Sequence, residues 1–149
     1  MDEEIIVGEI DIYVAIDCAK RKESIGLFTE KYLVEFAEVK EYYEYPLFRG
    51  ENEFETEHYR EMLSFVMEKE GREFRFYFEN ATNRETPFGM MFFNKDGSLF
   101  LGVQVYPEFL SKYENRLKND FNTSLIMVCY NTLPSDNLAD FKTIVQEHS

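Results

Sequence analysis

Residues 88–106 read FGMMFFNKDGSLFLGVQVY, two apolar runs on either side of Asn94-Lys95-Asp96-Gly97. Gly97 admits a positive φ, and the Asn and Asp side chains bond readily to nearby backbone, so this stretch predicts a β-hairpin with arms near 88–94 and 98–106. Both faces of each arm are apolar. Met90 and Phe92 alternate with Met91 and Phe93, and Leu99, Leu101, Val103 and Val105 alternate with Phe100 and Tyr106. A strand of this kind is covered on both sides or turns one side to a partner. The first is expected here, which puts the hairpin at the centre of a sheet.

Working outward, Phe74, Phe76 and Phe78 fall on one face of a strand near 73–79, and an apolar run gives another near 124–130. A further strand near 9–17 carries Ile10, Ile12, Val14 and Ile16 on one side and Asp11, Tyr13, Ala15 and Asp17 on the other. The second side reads as the solvent face of an edge strand, ended by the basic run Lys20-Arg21-Lys22. Residues 29–43 read as a helix capped by Thr29, with Tyr32, Leu33, Phe36, Val39 and Tyr43 near one face; a hairpin is the alternative, because Tyr32, Val34 and Phe36 also alternate.

Pro46 to Glu55 is loop-like. Thr56 then caps a helix over 57–70 whose Tyr59, Met62, Leu63 and Val66 keep helical spacing, with Gly71 at its end. Pro107 suits the first position of a helix running to Phe121, and Ser135 caps a last one with Leu138, Phe141, Ile144 and Val145 inward. Strands cluster in sequence, so the expected class is α+β: a largely antiparallel sheet with three to four helices in a single domain, residues 1–149.

Composition bounds the function. The chain has 149 residues, with 44% hydrophobic and 17% aromatic side chains, enough apolar surface to offset the ordering entropy of a fold. Two cysteines, Cys18 and Cys129, are too few for a disulfide scaffold and read as reduced structural thiols. The net charge of −13 disfavours nucleic acid as a partner. No run is long and apolar enough for a membrane span, and the acidic start is unlike a secretory signal, so a cytoplasmic location is expected.

The charge is uneven. Residues 1–57 hold 16 acids against 6 bases, and residues 58–149 hold 13 against 10. The densest part, 38–57, interleaves acids with aromatics: Glu38, Glu41, Tyr42, Tyr43, Glu44, Tyr45, Glu51, Glu53 and Phe54 form the candidate partner-binding set. Clustered carboxylates steer a basic partner, and tyrosine brings contact area at low entropic cost. A solvated helix end and polar loop is the plainer alternative.

Phosphate-loop, dinucleotide, nucleophile-elbow and zinc-spacing motifs are missing. His58 reads as a surface residue, and nothing local joins it to either cysteine. The expectation is therefore a non-catalytic acidic protein, without cofactor or metal, that binds a basic protein as an inhibitor or immunity-type protein does. The alternatives are a small-ligand domain or enzyme with a pocket between the hairpin and the 107–121 helix, and a homo-oligomer with one hairpin face buried between subunits.

Overall fold

The computed structural model describes residues 10–33, 36–38, 43–45, 53–80, 85–130 and 133–147. The strands are Ile10–Ile16 (β1), Phe36–Glu38 (β2), Tyr43–Tyr45 (β3), Phe54–Thr56 (β4), Phe74–Asn80 (β5), Phe88–Phe93 (β6), Leu99–Val105 (β7) and Ile126–Tyr130 (β8). The helices are Arg21–Tyr32 (α1), Tyr59–Met67 (α2), Leu110–Phe121 (α3) and Leu138–Glu147 (α4), with short 3-10 turns at Cys18–Lys20 and Pro107–Phe109. The fold is α+β. A six-stranded sheet runs in the order β2-β5-β6-β7-β1-β8, and β3 and β4 form a separate two-stranded ribbon. Every strand pairing described is antiparallel.

The β6–β7 hairpin sits in the middle of this order, as its two apolar faces require. On one face, Met91, Phe93, Leu99, Leu101, Val103 and Val105 pack with residues of α1, α2 and α3. On the other, Met90, Phe92 and Phe100 pack with Phe141 of α4. Both sides are thus covered within the chain. Toward α3, Leu101, Val103, Val105, Tyr113 and Leu117 belong to one cluster with at most 2% exposure.

The turn does more than reverse the chain. Gly97 has φ +90° and donates its N–H to the Asn94 carbonyl at 3.0 Å. The Asp96 carboxylate accepts the Ser98 N–H at 3.0 Å and the Ser98 hydroxyl at 2.6 Å, and its other oxygen accepts the Leu138 N–H at 2.7 Å. One aspartate therefore closes the hairpin and ties it to the first turn of α4. Partial burial works against its charged form, but the bonds from Leu138 and Ser98 outweigh this and hold the carboxyl below its ordinary range. Asn137, rather than Ser135, completes that helix end, its Oδ1 accepting the Asp140 N–H at 2.8 Å.

Several expectations are corrected. β1 is an interior strand between β7 and β8, and its second face is core: Tyr13 and Ala15 are buried beside Phe92, Phe100 and Met127. Tyr13 fits because Gly102 stands opposite it, where a Cβ would lie 2.5 Å from the ring. Residues 29–43 are neither one helix nor a simple hairpin: α1 ends at Tyr32, and β2 then pairs with β5.

The α1 helix hid its face from a hydrophobic reading. Arg21, Ser24, Ile25, Phe28 and Tyr32 are buried at helical spacing, but two of these five are polar. Arg21, expected at the solvent side of a strand end, lays its guanidinium 5.7 Å from the centre of the Phe93 ring. The α2 helix starts at Tyr59, with His58 in the cap position and Thr56 ending β4. It ends at Met67, and Gly71 takes its positive φ in the turn beyond.

Polar contacts fix α3 to α1 and to the segment before β6. The Tyr32 hydroxyl donates to Asp120 at 2.6 Å, joining α1 to α3. Glu85 accepts Lys112 Nζ at 2.7 Å and the Tyr113 hydroxyl at 2.9 Å, and these two donors hold its carboxyl below the usual range.

Two stability predictions follow from these contacts. Gly102→Ala forces the Tyr13 ring to shift within a packed layer and should cost about 1–3 kcal/mol in urea denaturation. Asp96→Ala should cost about 1 kcal/mol near neutral pH. Because the folded pKa of Asp96 is depressed, its contribution is present above the unfolded value of about 4 and is lost as pH falls through the folded one. The wild-type advantage over Asp96→Ala should therefore shrink below about pH 4.

Candidate docking surface

The acid-rich segment enters the fold chiefly as the β3–β4 ribbon. Its register sets Tyr43 opposite Thr56, Glu44 opposite Glu55 and Tyr45 opposite Phe54. Side chains alternate along a strand, so Tyr43, Tyr45, Phe54 and Thr56 share one face while Glu44 and Glu55 share the other.

The first face packs inward. Tyr43 is 2% exposed, with its ring 6.2 Å from Phe74 and 5.7 Å from Phe76. Tyr45 meets Phe65 of α2 edge-on at 5.3 Å, and Phe54 stacks on the same ring at 4.7 Å with 7° between planes. The Arg72 guanidinium lies 3.6 Å from the centre of the Phe65 ring, donating to the Phe65 carbonyl and, at 3.3 Å, to Glu68. Phe65 is the hub that fastens the ribbon to α2.

The second face is acidic. Glu53, Glu55 and Glu57 are exposed and Glu44 is half-buried. Where the ribbon meets α2 lies a shallow depression of about 350 Å³ lined by Phe54, Arg60, Glu61, Ser64, Phe65 and Glu68. The Thr56 hydroxyl donates to Glu61, and its oxygen accepts the His58 N–H at 3.1 Å. The depression combines the half-buried rings of Phe54 and Phe65 with two acids, Glu61 and Glu68, and one base, Arg60. Chemically, Phe65 already holds a cation, the Arg72 guanidinium, and the exposed acids of β4 add negative charge beside it.

The sequence-based set divides accordingly. Glu44, Tyr45, Glu53 and Phe54 come together on the ribbon. Tyr43 does not belong to a contact surface, because its ring is part of the core. Glu38 ends β2 at the far edge of the sheet, opposite Phe78. Glu41, Tyr42 and Glu51 lie outside the described residues. The sequence reading missed Phe65, Glu61 and Glu68. Their signal was present: 61, 64, 65 and 68 form a helical stripe next to the buried 59, 62 and 66.

Other candidate chemistry stays dispersed. His58 is exposed at the cap of α2, Cys129 is buried, and Cys18 is half-buried with its thiol pushed up by burial and then by Glu70. Both cysteines are free thiols. Among the described residues, no group of three or more His, Cys, Asp or Glu is gathered to hold a metal ion, and no helix is long and apolar enough to cross a membrane.

No protein-family model and no curated protein matches the chain. Among solved structures it is similar to the Pseudomonas aeruginosa T6SS protein PA0821, with 11% identity and a TM-score of 0.37 over 76% of this chain and 34% of that one. The chain spans about a third of that protein's length, and a likeness of this size assigns neither fold nor function.

Phe65→Ala removes the seat of Phe54, Tyr45 and Arg72 together. It should cost about 2 kcal/mol, less than the 3–5 of a fully buried phenylalanine, and urea denaturation reads this directly. Limited proteolysis should then cut at the ribbon before the sheet.

Proposed function

We propose that this chain is a non-catalytic acidic binding protein that docks a basic protein through the β3–β4 ribbon and the adjoining stripe of α2. On this reading it works in the cytoplasm as an inhibitor or immunity-type protein, masking the cationic site of a toxin or nuclease. The observation that carries the reading is the run of exposed acids Glu53, Glu55 and Glu57 along β4, whose half-buried Phe54 stacks on Phe65.

The physics of such a complex is straightforward. Exposed carboxylates keep their hydration, so holding them costs the monomer little, and together they raise the encounter rate with a cationic surface within about one Debye length, ~8 Å at physiological salt. The rings supply the apolar contact that slows dissociation. Phe65 is held by Phe54 and Arg72 beforehand, so little side-chain freedom is lost on binding.

The test uses the intact chain as bait in lysate of the source organism, followed by association kinetics with the basic protein recovered. Glu44, Glu53, Glu55 and Glu57 changed together to Gln should lower the on-rate about tenfold or more at low salt and flatten its salt dependence. An on-rate that is the same for both proteins at every salt concentration overturns the reading.

A further inference from the structure

We infer that α4 is a releasable cover, which opens away from the second face of the sheet while the rest of the fold stays intact, with Asp96 and Asn137 as the latch that holds it closed. Among the described residues, α4 is the one helix that joins the cluster on this face, over Tyr13, Ala15, Phe100, Met127 and Cys129. The opposite face is packed by three helices, α1, α2 and α3. One short helix thus does alone what three share on the other side.

The hold of α4 is narrow. Among its described side chains Phe141 alone is buried, set against Phe100 with ring centres 4.6 Å apart. Leu138, Ile144 and Val145 are half-buried. By contrast, α1 buries five residues and α2 three. Ile144 and Val145 line a groove of about 630 Å³ together with Cys129, so this flank of α4 is incompletely packed on β8. The first turn is fixed from outside by the bond from the Leu138 N–H to Asp96 and from within by the Asn137 cap on Asp140.

Opening is local because what remains keeps its own contacts. Asp96 accepts the Ser98 N–H and hydroxyl on the oxygen that Leu138 does not use, so the hairpin turn stays closed without α4. Phe92 keeps the Arg75 guanidinium 5.0 Å from its ring centre and Tyr77 edge-on at 5.6 Å, both from β5. The β5–β6 half of the second face therefore retains its cover, and the opening bares the β7-β1-β8 half. A segment held by few buried contacts opens at a lower free energy than the whole domain. Cys129 is a free thiol at 5% exposure within the bared half, so its reactivity reports the open state.

Native-state hydrogen exchange of the full chain in low urea, read beside alkylation of Cys129 by iodoacetamide in a Cys18→Ser background, tests this. The α4 amides and Cys129 should react through one opening whose urea dependence is well below that of global unfolding, while β6 and β7 amides exchange with global unfolding. Asn137→Ala, which removes the cap, should speed α4 and Cys129 about fivefold. Met62→Ala, in the buried stripe of α2, should speed β6 and β7 about thirtyfold and leave α4 and Cys129 unchanged. Equal protection and equal urea dependence for α4, Cys129 and the hairpin overturn the inference, and this comparison in the unmutated core stands even if Met62→Ala fails to fold. So does a Cys129 that stays protected while α4 amides exchange, since the helix would then fray without uncovering the sheet. A Met62→Ala that speeds α4 as much as the hairpin overturns it as well.

Discussion

The β6–β7 hairpin has to be dry on both faces, and the rest of the molecule is arranged to satisfy that requirement. Met91, Phe93, Leu101 and Val103 demand one layer, and Met90, Phe92 and Phe100 demand another. A sheet with two apolar faces cannot lie on solvent, so helices collect on both sides: α1, α2 and α3 on one, α4 on the other. Asp96 couples the two demands. The same carboxylate that closes the hairpin turn accepts the Leu138 N–H and so fixes where α4 begins. Covering the second face is thus linked to forming the turn.

This central constraint decides what is left for the periphery. Strands near the middle use both faces for packing. At the margins, the acidic ribbon is held by Phe65 of α2 and by Phe74 and Phe76 of β5, and β8 ends the sheet among the described residues. The two margins differ in chemistry. The ribbon carries exposed carboxylates on one face and rings on the other, whereas the groove along β8 is lined largely by apolar side chains. They lie toward opposite ends of the sheet order.

Much of the fold was legible because local pattern and tertiary role agreed. The hairpin combined a turn sequence with two long apolar arms, and Phe74, Phe76 and Phe78 alternate in the structure as they do in the chain. Legibility failed where an inward position carries a polar residue or an element is very short. Arg21 and Ser24 occupy the buried stripe of α1, so hydrophobic spacing alone could not find it. Three-residue strands such as Tyr43–Tyr45 and Phe54–Thr56 offer too few alternations to separate a ribbon from a loop. The candidate surface was located by its charge, yet its aromatic anchor Phe65 lay in a helix read only for its buried side.

What the sequence by itself determined was the class of the fold, the central hairpin and the concentration of acid in the first 57 residues, because each depends on spacing between near neighbours. Tertiary structure decided which side chains remain available. Tyr43 and Tyr45 are two residues apart in one strand, yet one is core and the other half-exposed. β1, whose mixed face looked like an edge, is enclosed because β7 and β8 both pair with it, and the true edge is the apolar β8. Burial is set by what a distant segment brings to the same place. Phe74 and Phe76 close over Tyr43, and Gly102 makes room for Tyr13. Such pairings join residues far apart in the chain, which local periodicity does not encode.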